Sequence, residues 1–365
     1  MKNYDFCLLL QYYGFNLFSL KTLFKDLICE ADNYYERLEA LKQDKYQLSN
    51  LKLYELETLL KSELLEKIYI KLKHSDSSFL SYSDKLNPFK ICEMEDPPFG
   101  LFYKGNIKQI NRKKIVAIVG TRKASIYGLK IAHEIAVELS KNNIVVISGL
   151  AAGVDAEAHK GSFQNGNTIA VLGTGIDTPF PVSNRRLYTE ILKNDGLVIS
   201  EYPPEVGGSA WNFPQRNRVI SALSDAVIVV EGDIDSGALI TARFAIKQNK
   251  KLFAVPGSLG LRTSFGPNAL IKSKVAEIFT TIEDFIEMVY GRTLSPIKLN
   301  SIENNKSSLS LIQKNILNLI TSYPTNFDEI LEEVSLPVNE VLKELSYLEL
   351  KGLIQKTMNG DYVRG

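Results

Sequence analysis

The chain has little of what metal and redox chemistry uses: 365 residues carry only three cysteines, three histidines and one tryptophan. Cys7, Cys29 and Cys92 stand far apart, with neither a disulfide pattern nor metal-ligand spacing, so they read as reduced thiols of a cytoplasmic protein. His74, His133 and His159 are equally scattered, which speaks against a metal or paired-histidine site. No apolar run is long enough to span a membrane. The opening MKNYDFCLLLQYYGF has a short apolar stretch, but it carries Asp5, ends in aromatics and lacks a small-residue cleavage site. It predicts a buried helix, not a leader peptide. A net-charge bias is also missing, with 43 basic against 42 acidic residues. The balance is uneven, however. The basic excess lies in residues 108–290, ahead of Ala276, while both flanking segments lean acidic. An anionic partner belongs to the middle of the chain.

What is present is the composition of a globular protein, 45% hydrophobic and 23% charged, long enough for several domains. Residues 1–75 are rich in Leu, Lys, Glu and Tyr with helical periodicity, as in LKLYELETLLKSELLEKIYIKL. They predict a small helical domain. Residues 76–107 bring prolines and aromatics and read as a connecting segment ending in a strand, FGLFYKG. Residues 291–307 are Asn/Ser-rich and aperiodic, as a linker is. Residues 308–365 give three helical patterns, then two short β-like runs across Asn359-Gly360, a type I′ hairpin signal. Three helices and a hairpin spell a winged helix. Its would-be recognition helix carries Glu340, Glu344 and Glu349 against Lys343, and phosphates repel that balance. A partner-binding or dimer-supporting role is expected instead.

Residues 108–290 repeat a strand–helix rhythm. The candidate strands are residues 115–119, 144–148, 168–172, 197–200, 226–230 and 252–255, all short and apolar, as strands covered on both faces are. This alternation predicts an α/β domain on a parallel, doubly wound sheet. In such sheets ligands bind beyond the carboxyl ends of the strands. The segments leaving those ends are GTRKAS, SGLAAGVD, GTGID, SEYPP, EGDIDSG and PGSLG. They offer glycine-exposed backbone and helix N-termini, which attract anions.

In IVAIVGTRKASIYG, Arg122 stands where a dinucleotide fingerprint needs its second glycine, and no Gly-Lys-Ser/Thr follows to make a P-loop. Arg122 and Lys123 at a helix N-terminus oppose its partial positive charge, a cost that a bound anion would remove. Gly120, Thr121, Arg122, Lys123 and Ser125 are therefore candidate phosphate contacts. GTGID, with Gly173, Thr174 and Gly175, also begins a fingerprint and breaks it at Thr178. Ser236-Gly237 is a further cradle at a helix start. WNFPQRNR places Trp211, Phe213, Arg216 and Arg218 within eight residues, the interleaving of rings and cations that single-stranded nucleic acid uses. The alternative is that the rings lie in the core and the arginines form internal salt bridges, and spacing does not decide between the two. Asp155, Glu157 and His159 could be a catalytic group, with Glu231 a base, although capping and helix packing explain the trio as well.

These motifs, from about Tyr82 to Ala276 and in this order, resemble the DNA-processing protein A (DprA/Smf) family, as do NFPQRNRVISALSD, LFAVPGS and GPNALI. The terminal winged helix fits its longer members. Residues 1–75 match loosely, with Gly14 the one residue answering to the Gly-rich hairpin of the family's N-terminal SAM/HhH-like domain. The resemblance implies an extended Rossmann-like domain that dimerises and binds single-stranded DNA in the bacterial cytoplasm. It also implies no catalysis and no cofactor, protection of incoming DNA, and loading of the RecA recombinase in natural transformation. Family contacts carry over to Gly120, Thr121 and Arg122, to Phe213, Arg216, Asn217 and Arg218, and to Ser236 and Gly237. Gly149, Gly173, Thr174 and Gly175 fall in matching loops. Ala222, Gly232, Ala238 and Ser273-Lys274 depart from the pattern, and Ala238 weakens the Ser236 cradle. The rival is a nucleotide-binding phosphoribohydrolase on a related fold, but its Pro-Gly-Gly signature is missing from the chain. Both broken fingerprints disfavour an NAD-dependent oxidoreductase.

Overall fold

The computed structural model describes residues 3–14, 54, 58, 64–291 except 83 and 113, and 309–364 except 322, 323, 335, 358 and 359. Cys29, nearly all of the expected linker, Asn359 of the hairpin turn and most of the N-terminal helical pattern lie outside the described residues. The chain forms two compact units, Met1–Arg292 and Thr293–Gly365.

The first unit is built on a nine-stranded sheet in the order β1-β2-β6-β5-β4-β3-β7-β8-β9. Its centre is β3 (Ile115–Val119), β4 (Val145–Ser148), β5 (Thr168–Gly175), β6 (Leu197–Tyr202) and β7 (Ala226–Val229). Neighbours among these pair in parallel. Every residue of β3, β4, β5 and β7 is buried, which is why these strands are continuously apolar and not alternating. Helices of nine to sixteen residues cover the faces, among them Ile126–Lys141, Val154–Ser162 and Asn212–Leu223. On one side, β8 (Lys251–Ala254) and the two-residue β9 (Glu277–Ile278) extend the parallel array. On the other, β2 (Gly100–Gly105) runs antiparallel to β6, and β1 (Ser78–Ser81) antiparallel to β2. The strand expected in FGLFYKG is β2, which joins the edge strand β1 to the parallel array.

The N-terminal helix Asn3–Tyr12 buries Phe6 to Leu10. With Ile68 and Leu72 of the helix Leu64–His74, those residues share one hydrophobic cluster with Phe102, Leu172 and Val198 of the sheet. Among the described residues, no helix is long and apolar enough to cross a membrane.

The second unit is the winged helix that its pattern predicts. Helices Leu311–Leu319, Phe327–Val334 and Val338–Leu350 precede β10 (Ile354–Lys356) and β11 (Tyr362–Arg364), which pair antiparallel. Ser310 opens the first helix with a capping box closed by Gln313, satisfying two otherwise orphaned N–H groups.

Candidate functional site

From β3 the chain winds outward through β4, β5 and β6. From β7, beside β3, it winds the other way through β8 to β9. The crevice between β3 and β7 is therefore the topological switch point, where open parallel sheets bind ligands. A cavity of about 710 Å³ opens there, lined by Gly120, Thr121, Arg122 and Lys123 after β3 and by Ser236, Gly237 and Ala238 after β7. The helix that follows β6 contributes Phe213, Arg216 and Asn217. Three widely separated motifs thus converge on one space.

The two helix N-termini at the switch point are not equivalent. The start of the helix Ile126–Lys141 is already filled. Glu231 is buried, and its carboxylate accepts the Ser125 backbone N–H at 2.8 Å and the Ser125 hydroxyl at 2.6 Å. Ser125 Oγ in turn accepts the Gly128 N–H. The anion that this helix dipole calls for is thus the protein's own, and Ser125 is spent on it. The neighbouring helix, Gly237–Lys247, begins with no side-chain cap hydrogen bond. The Oγ of Ser236 is buried without a partner, and a side chain at Gly237 would meet nothing within 4 Å. That N-terminus is open to the cavity, with exposed Arg122 and Lys123 among the residues opposite it.

One wall of the cavity is aromatic. The guanidinium of Arg122 lies over the Phe213 ring at 5.4 Å, and Phe180 stands 5.5 Å from Phe213 at a tilt of 43°. Gly173 permits this. A Cβ there would come within 2.7 Å of Phe213, so the glycine is a packing surface for the ring. Thr174 and Gly175 belong to the buried end of β5. The Thr174 hydroxyl donates to the Thr178 carbonyl, and the Gly175 N–H donates to the Val206 carbonyl. Of the cradle expected at GTGID, the Thr174 hydroxyl and the Gly175 N–H are therefore already taken by carbonyls of the following loops. Phe180 carries no fingerprint, and nothing in its sequence surroundings marks it as a cavity residue.

Arg216 forms the floor. It is 5% exposed and donates to the carbonyls of Gly149, at 2.5 Å, and Val171. Its Nε donates to Asn217 Oδ1, while Asn217 Nδ2 donates to the Gly237 carbonyl. A Cβ at Gly149 would sit 2.4 Å from the guanidinium. The next residue, Leu150, is held at φ 57, a left-handed conformation that costs energy for a side chain of this size. Asp155 accepts the N–H groups of Gly149 and Ala151. Burial pushes the Asp155 carboxyl up, and Arg216 beside it pulls it down. Burial pushes Arg216 itself down to about 10. The guanidinium is structural as well as cavity-lining.

Of the two readings of WNFPQRNR, each half holds in part. Trp211 is 81% exposed, whereas Arg216 and Arg218 are buried. Arg218 lies apart from the cavity, pairs with Glu201 and donates to the Asp96 carbonyl at 2.5 Å. The trio Asp155, Glu157 and His159 does not assemble. Asp155 serves the β4 loop, Glu157 pairs with Lys160, and buried His159 contacts Thr168 Oγ1 at 2.8 Å. Among the described residues, no group of three or more His, Cys, Asp or Glu is placed to hold a metal ion.

Residues 78–290 match the family of DNA recombination-mediator protein A. The chain belongs to that family. Residues 303–359 match the family's winged-helix domain. Protein Smf of Escherichia coli is 35% identical over 297 residues, covering 80% of this chain and 79% of its own. The DNA processing protein DprA of Streptococcus pneumoniae is 41% identical over 211 residues, covering 57% of this chain and 73% of its own. The X-ray structure of that Streptococcus pneumoniae protein aligns at TM-score 0.68 and 32% identity, over 79% of this chain and 99% of the other. DNA processing protein A of Helicobacter pylori, whose structure addresses its mode of binding single-stranded DNA, aligns at TM-score 0.53 and 34% identity. That alignment covers 58% of this chain and 94% of the other.

Proposed function

We propose that this protein is a cytoplasmic, non-catalytic single-stranded DNA-binding recombination mediator whose switch-point cavity holds the sugar–phosphate backbone. One observation carries the reading. An uncapped helix N-terminus at Ser236-Gly237 and the exposed cations Arg122 and Lys123 line one cavity with the Phe213 ring. Backbone N–H groups and cations take phosphate, and the ring takes an unpaired base. Arg122, filling the place of a fingerprint glycine, reaches into the cavity where a glycine would let the backbone clasp one pyrophosphate. A strand passing through suits this space better than a dinucleotide.

The single-stranded DNA binding of the Helicobacter pylori relative supports the reading. We further propose that the protein acts as a homodimer, shields incoming DNA and delivers it to a RecA-type recombinase during transformation, a reading that the family resemblance supports. The winged helix is assigned to protein contact, since Glu340 and Glu349 leave its third helix exposed and acidic. The test is a salt-titrated comparison of a single-stranded oligonucleotide, its duplex, a mononucleotide and NAD. Single-strand affinity should exceed the rest and fall steeply with salt. Equal affinity for single strand and duplex, or a preference for NAD, would overturn the proposal.

A further inference from the structure

The chain's only tryptophan is 81% exposed. An indole forgoes more stabilisation than most side chains when left in water, so its placement calls for a reason outside the fold. Local structure supplies none. Trp211 occupies the N-cap position of the helix Asn212–Leu223 but makes no side-chain cap hydrogen bond. Only its carbonyl serves the first turn, accepting the Gln215 N–H, a role open to any residue. Among the described residues, neither a second ring nor a cation is stacked on the indole, in contrast to Phe213 and Phe180.

Its position is informative. Ala210 on one side and Phe213 on the other both line the switch-point cavity, so Trp211 stands on the rim. Phe180, 44% exposed, lines the same cavity. The exposed stretch from Gly207 to Ala210 leads into Trp211, and at Gly208 a Cβ would come within 3.2 Å of the Phe213 ring. Arg122 and Lys123 supply the exposed cations of the same cavity.

We infer that Trp211 is a base-stacking platform. It takes the face of an unpaired nucleobase adjacent to the nucleotide held inside the cavity. The inference rests on the single-stranded DNA reading and adds the source of its selectivity. A base in a duplex has both faces covered by its neighbours, whereas an unpaired base offers one to an exposed ring, whatever its sequence.

The full chain is titrated with an oligothymidylate and with an abasic deoxyribose-phosphate strand of equal length, following tryptophan emission and, separately, the anisotropy of labelled strands. The indole should be quenched by the oligothymidylate and not by the abasic strand. Trp211→Ala should bind the oligothymidylate about 5- to 100-fold more weakly, the worth of one base–ring stack. It should bind the abasic strand as the wild type does, and Trp211→Phe should recover most of the loss. Undiminished oligothymidylate binding by Trp211→Ala overturns the inference while the reading of the cavity stands. Equal losses on both strands also overturn it, since they assign Trp211 to the shape of the loop. A wild-type chain that binds neither strand overturns the inference and the reading beneath it.

Discussion

Ser125 donates its hydroxyl to Glu231 at 2.6 Å, and the same carboxylate accepts the Ser125 backbone N–H at 2.8 Å. Two segments more than a hundred residues apart are thereby tied at the switch point, and the helix after β3 receives an internal anion. Glu231→Ala should cost about 2–4 kcal/mol of stability, because two donors to a charged acceptor lose their partner. Denaturant unfolding measures this. A loss well under 1 kcal/mol would show that water replaces the carboxylate.

Gly237 offers the opposite experiment. A side chain there meets nothing within 4 Å, and the helix it begins has no side-chain cap. Gly237→Glu should hold or raise stability, by about 0.3–1 kcal/mol from the helix dipole. It should weaken oligonucleotide binding more than tenfold by placing a carboxylate where phosphate is proposed to sit. Unchanged affinity, read by anisotropy, would move the phosphate contact elsewhere.

Arg122 and Arg216 line the same cavity yet should fail differently. Arg122 is exposed, so Arg122→Ala should leave thermal unfolding nearly unchanged and cost about 1–3 kcal/mol of DNA affinity. Arg216 is buried beside Asp155 and bonded to the Gly149 and Val171 carbonyls. Arg216→Ala should cost about 3–5 kcal/mol of stability, leaving a buried carboxylate without its cation. Calorimetry and anisotropy on both variants check the contrast. A fully stable Arg216→Ala protein would assign that arginine to ligand alone.

His159 makes stability pH-dependent. Burial holds its imidazole down to about 3, against 6.5 for an ordinary histidine. The folded state therefore keeps it neutral, while the unfolded chain takes up the proton as pH falls below 6.5. Its contribution is fully present above 6.5 and is lost on acidification at about 1 kcal/mol per pH unit. His159→Gln should be less stable at neutral pH, with the gap to wild type narrowing by pH 4.5. A gap independent of pH would mean that the imidazole gains a partner when protonated. Raised carboxyls such as Glu201 act with the opposite sign and cancel in the difference.

Much of the fold was legible because its signals are local. Continuous apolar strands, each followed by a glycine- or serine-bearing turn and a helix, can be read over a dozen residues at a time, and the order of the motifs carried the family. β1 and β9 escaped because a four-residue edge strand and a two-residue one leave no periodicity. Both owe their existence to the strand beside them.

The site divides along the same line. Sequence alone determined that Gly120 to Lys123 and Ser236-Gly237 lie at carboxyl ends of strands, because chain order in a parallel sheet dictates it. Which of those ends is open was decided only by tertiary structure. A buried carboxylate just beyond β7 fills the N-terminus of the helix after β3, the Thr174 hydroxyl and the Gly175 N–H donate to the Thr178 and Val206 carbonyls, and Arg218 is turned away to Glu201. Satisfying a buried N–H or charge requires partners from distant segments, and no local spacing encodes which partner arrives.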